Sequence, residues 1–294
     1  MEKAVYHLPG LFEFYDFYRE FLPIYREKTE YFYDWCQIGS LYGAPADCLW
    51  AGGRVSTGNA DPRQVLALTE EYGLSGRLTF SNRLLRPEHL KDPKCNRLCA
   101  LFGAEPGNGV IVHSELLLAY LKEKYPNFYF VSSTTKVLTD FEDLAAETER
   151  PDFRYVVPDF RLNKAFDRLA GLKEKRKVEF LCNECCWPGC RERKACYENV
   201  SRKNLGERCP DHICAAPEGE KGYRFSAAMK NPAFIGIRDI RETYLPMGFS
   251  QFKIEGRGLG SAMLLEFILY YLTKPEYQLP LREEMYLDSM LDLF

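Results

Sequence analysis

The chain has 294 residues, with 39 Lys and Arg against 42 Asp and Glu, a formal charge of −3. A weakly acidic balance lacks the basic excess that marks a nucleic-acid binder. No run approaches the 18 or so apolar residues that cross a bilayer, and the start Met1-Glu2-Lys3-Ala4-Val5-Tyr6-His7 has no signal-type apolar core, so a cytoplasmic location is expected.

In chain order, residues 1–30 are rich in aromatics (Phe12, Phe14, Tyr15, Phe17, Tyr18, Phe21) and predict a helical segment packed on the body of the protein. Short β-type runs follow at Tyr33–Ser40, Arg77–Asn82, Gly109–Ser114, Phe128–Ser133, Tyr155–Asp159, Lys177–Asn183, Ala233–Asp239 and Phe249–Gly256. Several are almost wholly apolar, as suits strands buried on both faces of a parallel sheet. Helical patterns separate them: Pro62–Gly73 with Pro at its start and Gly at its end, Ser114–Lys122, Thr139–Glu147, Asn163–Lys175 and Ser261–Leu272. Eight strands alternating with helices over residues 31–275 predict an α/β fold, a (β/α)8 TIM-type barrel, with 276–294 as a tail. An open doubly wound sheet is the alternative, but the dinucleotide-type Gly fingerprint is missing after the first predicted strand.

Cysteine usage is the distinctive feature. Of 11 cysteines, seven lie between Cys182 and Cys214, in a loop (182–214) directly after the sixth predicted strand. Without a secretory signal, such density points to metal or redox chemistry rather than disulfides. Cys186-x3-Cys190 and Cys209-x4-Cys214 are two close pairs that offer four thiolates. This spacing suits a 4Fe–4S cluster and equally a zinc site. Cys48 and Cys196 are alternate ligands. Unliganded reduced thiols are the plain alternative. Arg191, Arg193 and Lys194 in the same segment offset thiolate charge.

In a barrel the chemistry belongs to the C-terminal strand ends. Lys253, Glu255 and Arg257 alternate along the last predicted strand and share one side, the interior mouth. There Lys253 and Glu255 are candidate catalytic groups and Arg257 an anion clamp; the alternative is an internal ion network that only supports the barrel. His113 ends a predicted strand and is a candidate base, or else a hydrogen-bonded structural residue. Asn82, Asn183 and Arg54, the last on a Gly-Gly loop, are candidate substrate contacts. No G-x-S-x-G or H-E-x-x-H occurs, which leaves a hydrolase without a visible nucleophile or zinc triad.

Asn183-Glu184-x-Cys186-x3-Cys190-x2-Arg193, Phe252-Lys253-Ile254-Glu255-Gly256-Arg257 and Tyr42-Gly43-x4-Cys48-x-Trp50-x-Gly52-Gly53-Arg54 together resemble motifs of the collagenase-like peptidase U-32 family. The resemblance spans roughly residues 30–275. It implies a barrel-shaped catalytic domain. Better-understood members look like iron–sulfur proteins that hydroxylate tRNA uridine, ribosomal RNA cytidine or ubiquinone precursors without molecular oxygen, and others carry the name of peptidases. This chain departs from the pattern at Arg191, where relatives often have Pro, and at Cys196, where they often have His. The combined expectation is an iron–sulfur barrel enzyme of redox or oxygen-independent hydroxylation type. Its substrate is an anionic small molecule or peptide, with RNA less favoured on charge. A peptidase with a structural metal is the alternative.

Overall fold

The computed structural model describes residues 2–53, 58–217 and 228–289, the side chains of the last helix only to Tyr286. In chain order the strands are β1 (Ala4–Pro9), β2 (Cys36–Gly43), β3 (Ser75–Phe80), β4 (Gly109–Val112), β5 (Tyr129–Ser132), β6 (Phe153–Val156), β7 (Glu179–Leu181) and β8 (Gln251–Lys253). The helices are α1 (Tyr15–Glu27), α2 (Pro62–Glu71), α3 (Pro93–Phe102), α4 (Glu115–Lys124), α5 (Phe141–Glu149), α6 (Phe166–Ala170), α7 (Arg193–Asn204), α8 (Ile237–Asp239, which runs into a π-helical turn at Ile240–Tyr244), α9 (Ser261–Tyr271) and α10 (Gln278–Ser289).

All strand pairs are parallel, in the order β6-β5-β4-β3-β2-β1-β8-β7. A single bridge between Val156 and Val178 joins the two ends and closes the cylinder. The protein is therefore a (β/α)8 barrel, as expected, although two of its expected parts differ. Ala4–Pro9, placed by sequence in the N-terminal helical segment, is the first strand, and α1 begins only after it. Ala233–Asp239, expected as a strand, is not in the sheet: Ile235 borrows one carbonyl, Cys182 O, at 2.9 Å before the chain turns into α8. The strand that precedes the cysteine-rich segment is consequently the seventh, not the sixth.

Local sequence explains the helix starts. Asp61 Oδ1 accepts the N–H groups of Arg63 and Gln64, and Asp92 Oδ1 that of Cys95, each ahead of a Pro at the first helical position. The main core lies between the sheet and the helices, with Tyr6, Tyr18, Phe21, Phe80, Phe102, Phe180 and Phe252 fully buried. Inside the cylinder, strand alternation stacks side chains in layers. The lower layer is charged and aromatic (Arg77, Tyr129, Tyr155, Glu179, Gln251). The next is an apolar ring of Tyr42, Ile111, Val131, Val157 and Leu181, from which only Lys253 and Thr79 break the pattern. That ring is the floor of the mouth.

Candidate active site at the barrel mouth

A cavity of about 560 Å³ opens above the ring, in the size range of small-molecule sites. Lys253, Glu255 and Arg257 all line it, although β8 stops at Lys253 and not at Gly256 as expected, so that Glu255 and Arg257 lie past the strand end. Tyr42, Thr79 and Ser81 line it from β2 and the end of β3, and Glu184 and Cys185 from the segment after β7. The hydroxyls of Thr79 and Ser81 are buried and have no hydrogen-bond partner among the described residues.

Lys253 reaches the floor from below. Its Nζ lies 3.2 Å from Glu179 Oε1 and 3.5 Å from the centroid of the Tyr42 ring. Glu179 Oε2 also receives Arg77 Nη1 at 2.6 Å. His7 completes the cluster, with Nδ1 2.8 Å from Ser40 Oγ and Nε2 3.1 Å from Gln251 Oε1. Burial outweighs the carboxylate and lowers Lys253 to about 8. Burial, reinforced by Arg77, lowers His7 to about 3, so His7 is neutral. Glu179 is held far below the ordinary carboxylate range, with Arg77 the chief stabiliser of its charge against desolvation. At neutral pH the cluster thus carries two cations, one anion and a neutral imidazole. Lys253 shares the Glu179 carboxylate with Arg77, and the Glu184 and Glu255 carboxylates line the same cavity.

Arg257 is fixed by Glu13, which accepts Nε at 2.8 Å and Nη2 at 2.6 Å. Its Nη1 stands 3.3 Å from where a Cβ on Gly53 would sit. Glu13, from the turn between β1 and α1, escaped the sequence reading because nothing local marks it. The Arg77–Glu179 pair escaped too, although the alternation Arg77-x-Thr79-x-Ser81 signals a polar inward face.

A second buried pair anchors the cysteine segment. Arg193 Nη2 lies 2.5 Å from Glu184 Oε2 and 3.0 Å from Tyr197 Oη, while Asp159 Oδ2 is 3.7 Å from Arg193 Nε. Glu184 Oε1 accepts the N–H groups of Cys185 and Cys186, each at 3.0 Å. Arg161, paired with Asp159, donates to Cys190 O at 2.8 Å, and Asn231 Nδ2 bonds the carbonyls of Glu184 and Cys186. Arg193 sits in the field of the Cys186 thiol and Arg161 in that of Cys190.

The other expected site residues fall as follows. Asn183 bridges β7 and β8: its Nδ2 donates to Glu255 O at 3.0 Å and its Oδ1 accepts Glu255 N–H at 2.7 Å. Asn82 is fully buried, donating to Leu49 O and Ser201 O and accepting Leu84 N–H. His113 Nδ1 is 2.9 Å from Thr135 Oγ1, and burial lowers its pKa to about 4. Neither Asn82 nor His113 lines the cavity. Arg54 lies outside the described residues. Cys186, Cys190, Cys196 and Cys209 are half-buried, Cys214 is exposed, and Cys48 is buried against Cys95.

The thiols allow a test of the expected metal. Four thiolates around one zinc at about 2.3 Å would stand roughly 4 Å apart. Among the described residues no three cysteine sulfurs lie within 4.8 Å of one another; the one set of potential ligands that close is Glu184, Cys185 and Glu255. Glu184 in that set is already spent on Arg193 and two N–H groups. A cubane cluster binds each thiolate to a different iron and spaces the sulfurs more widely. In donor type and in spacing along the chain the segment suits a thiolate-bound cluster or zinc alike, and the guanidinium charge beside Cys186 and Cys190 would offset thiolate charge in either.

No family model matches the chain, and no curated protein does. Among solved structures, that of the U32 peptidase Mk0906 matches with a TM-score of 0.53 and 14% identity, covering 88% of this chain and 94% of the other. The likeness extends the barrel across nearly both chains and establishes a U32-like fold. No helix of the described residues is long and apolar enough to cross a membrane.

Proposed function

We propose that this chain is a barrel enzyme of redox or oxygen-independent hydroxylation type, acting on an anionic small molecule or peptide held in the mouth. The observation that carries the reading is the Lys253 ammonium, which shares Glu179 with Arg77, in a cavity whose rim includes the cysteine segment at Glu184 and Cys185. Lys253 attracts an anionic group to the floor. The free hydroxyls of Thr79 and Ser81 supply hydrogen bonds beside it. The apolar ring excludes water, which strengthens both interactions. Arg257, pinned by Glu13, guards the rim on the Gly53 side. Cys186, Cys190, Cys209 and Cys214 are the thiolates that would hold a 4Fe–4S cluster, with Cys196 as the alternate on α7. Such a cluster supplies single-electron chemistry or an open iron for substrate when bound. The Glu184–Arg193 pair holds the first two of these cysteines against the barrel.

Anaerobic purification with iron and sulfide quantitation tests the reading. The expected result is brown protein with about four irons and four sulfides per chain, lost in Cys186→Ala, Cys190→Ala, Cys209→Ala and Cys214→Ala. Colourless protein carrying stoichiometric zinc would overturn it. The peptidase alternative has the description of Mk0906 in its favour. Its candidate nucleophiles at the cavity are Thr135, whose Oγ1 lies 2.9 Å from His113 Nδ1, and Cys185, whose Sγ lies 3.6 Å from a Glu184 carboxylate already bound to Arg193. Hydrolysis of a casein-type substrate by the metal-free chain would restore it.

A further inference from the structure

The buried thiols away from the rim are not used by this reading, and two of them nearly touch. Cys48 Sγ lies 3.2 Å from Cys95 Sγ, and the residues are 3% and 0% exposed. A disulfide requires about 2.04 Å, so closure is a movement of roughly 1 Å. The two thiols differ in environment. Cys48 Sγ faces the N–H groups of Trp50 and Ala51 and the ammonium of Lys94, which is held nearby by donating to Ala46 O at 2.5 Å. Cys95 sits in the first turn of α3, its own N–H taken by Asp92. The S–H of Cys95 hydrogen-bonds Cys48 and draws its pKa below the ordinary thiol range, while burial pushes Cys95 up.

We propose that Cys48 and Cys95 form a peroxide-reactive dithiol that closes to a disulfide. The Cys48 thiolate attacks the O–O bond of hydrogen peroxide, giving a sulfenic acid on Cys48 and a hydroxide that is protonated to water. The Cys95 sulfur then displaces the hydroxyl of that sulfenic acid, the S–S bond forms, and the Cys95 proton leaves with the hydroxyl as the second water. Two thiols and one peroxide become one disulfide and two waters; sulfur is oxidised and peroxide oxygen reduced. The burial of the pair selects a small oxidant. The bond would tie α3 to the 48–53 segment, which is bound to the end of β3 through Asn82 N–H to Trp50 O at 2.9 Å and which ends at Gly53 on the cavity wall. Oxidation of this pair therefore stiffens one side of the mouth. The proposal stands apart from the cluster set Cys186, Cys190, Cys209 and Cys214, but it competes with the alternate set in which Cys48 is a ligand: a ligating Cys48 would give no Cys48–Cys95 cross-link.

The test uses the full chain under argon, with hydrogen peroxide added from sub-stoichiometric to tenfold excess. The protein is unfolded in the presence of a light maleimide so that every free thiol, buried ones included, is capped; it is then reduced and the released thiols are capped with a heavy one, while an unreduced aliquot is digested for cross-linked peptides. Each cysteine is then read by mass spectrometry. Cys48 and Cys95 are expected to convert together, to give a Cys48–Cys95 cross-linked peptide, and to return on reduction. Cys48→Ser should slow oxidation of Cys95 at least tenfold; Cys99→Ser, one turn further along α3, should leave closure unchanged. Thiols that stay free at tenfold peroxide, or a cross-link from Cys95 to Cys99, would overturn the proposal. Because the wild-type cross-link is decisive by itself, a variant that fails to fold does not obscure the outcome.

Discussion

The carboxylate of Glu179 lies 3.2 Å from the ammonium of Lys253 and holds it at the floor of the mouth. This contact makes the pH dependence of ligand binding predictable. Lys253 is lowered from its ordinary value to about 8 by burial, so its charge is lost as pH rises through that point. The affinity for a small carboxylate such as benzoate should be flat below pH 7 and then fall roughly tenfold per pH unit above about 8. Lys253→Met should remove most of the affinity and the pH dependence together. Calorimetry at pH 6 to 10 measures both, and a pH-independent affinity would remove Lys253 from the site.

His7 governs acid stability. Its pKa in the fold is about 3, against about 6.5 unfolded, so the unfolded chain binds more protons between those values. Stability should fall as pH drops from 6.5 towards 3, by up to about 1.4 kcal/mol per pH unit from this group. His113, lowered to about 4, acts in the same direction over a narrower window. His7→Gln retains a hydrogen-bonding side chain but no titration, and should flatten the slope of urea midpoints between pH 6.5 and 4.5. An unchanged slope would show that His7 is protonated in the fold.

Glu184 and Arg193 form a buried ion pair at 2.5 Å. Removal of one partner strands the other charge, so Glu184→Gln or Arg193→Met should each cost about 3 kcal/mol. The double variant should cost at least ~1 kcal/mol less than the sum. Denaturant titration reads these values. Strict additivity would mean that the pair contributes nothing as a pair.

Gly52 and Gly53 are adjacent but differ in tolerance. A Cβ on Gly52 would lie 2.3 Å from Ser81 O and 2.4 Å from Asn82 N, both backbone atoms that cannot yield. On Gly53 the nearest atom is Arg257 Nη1 at 3.3 Å. Gly52→Ala should destabilise by about 1–3 kcal/mol, whereas Gly53→Ala should leave the melting temperature within a degree or two and act on ligand binding. Equal losses of stability in the two variants would contradict the packing.

The barrel was legible in the sequence because parallel strands buried on both faces read as unbroken apolar runs, Gly109–Val112 and Tyr129–Ser132 among them. β1 was hidden because it carries His7 inward and adjoins the aromatic stripe of α1. Ala233–Asp239 misled in the opposite way. Its apolar residues pack against β7 and α9, with Ile235 fully buried, but Gly236 and the capping Asp239 turn the chain into a helix. Within the site, β8 was read too long: it stops at Lys253, and Glu255 and Arg257 reach the mouth from the segment beyond it. The partners of Lys253 and Arg257, Glu179 and Glu13, are 74 and 244 residues away. No local pattern encodes such pairings.

Among the described residues the cylinder is sealed between β6 and β7 by the single Val156–Val178 bridge, while every other seam is a multi-residue ladder. Thermal breathing should part the staves along this line first. Arg161 hangs from the β6 side and grips the Cys190 carbonyl on the β7 side, so it works as an external clasp across the gap. Whatever settles among the rim thiols will tighten or loosen that clasp, and the amide of Val178 will report it by its rate of deuterium uptake.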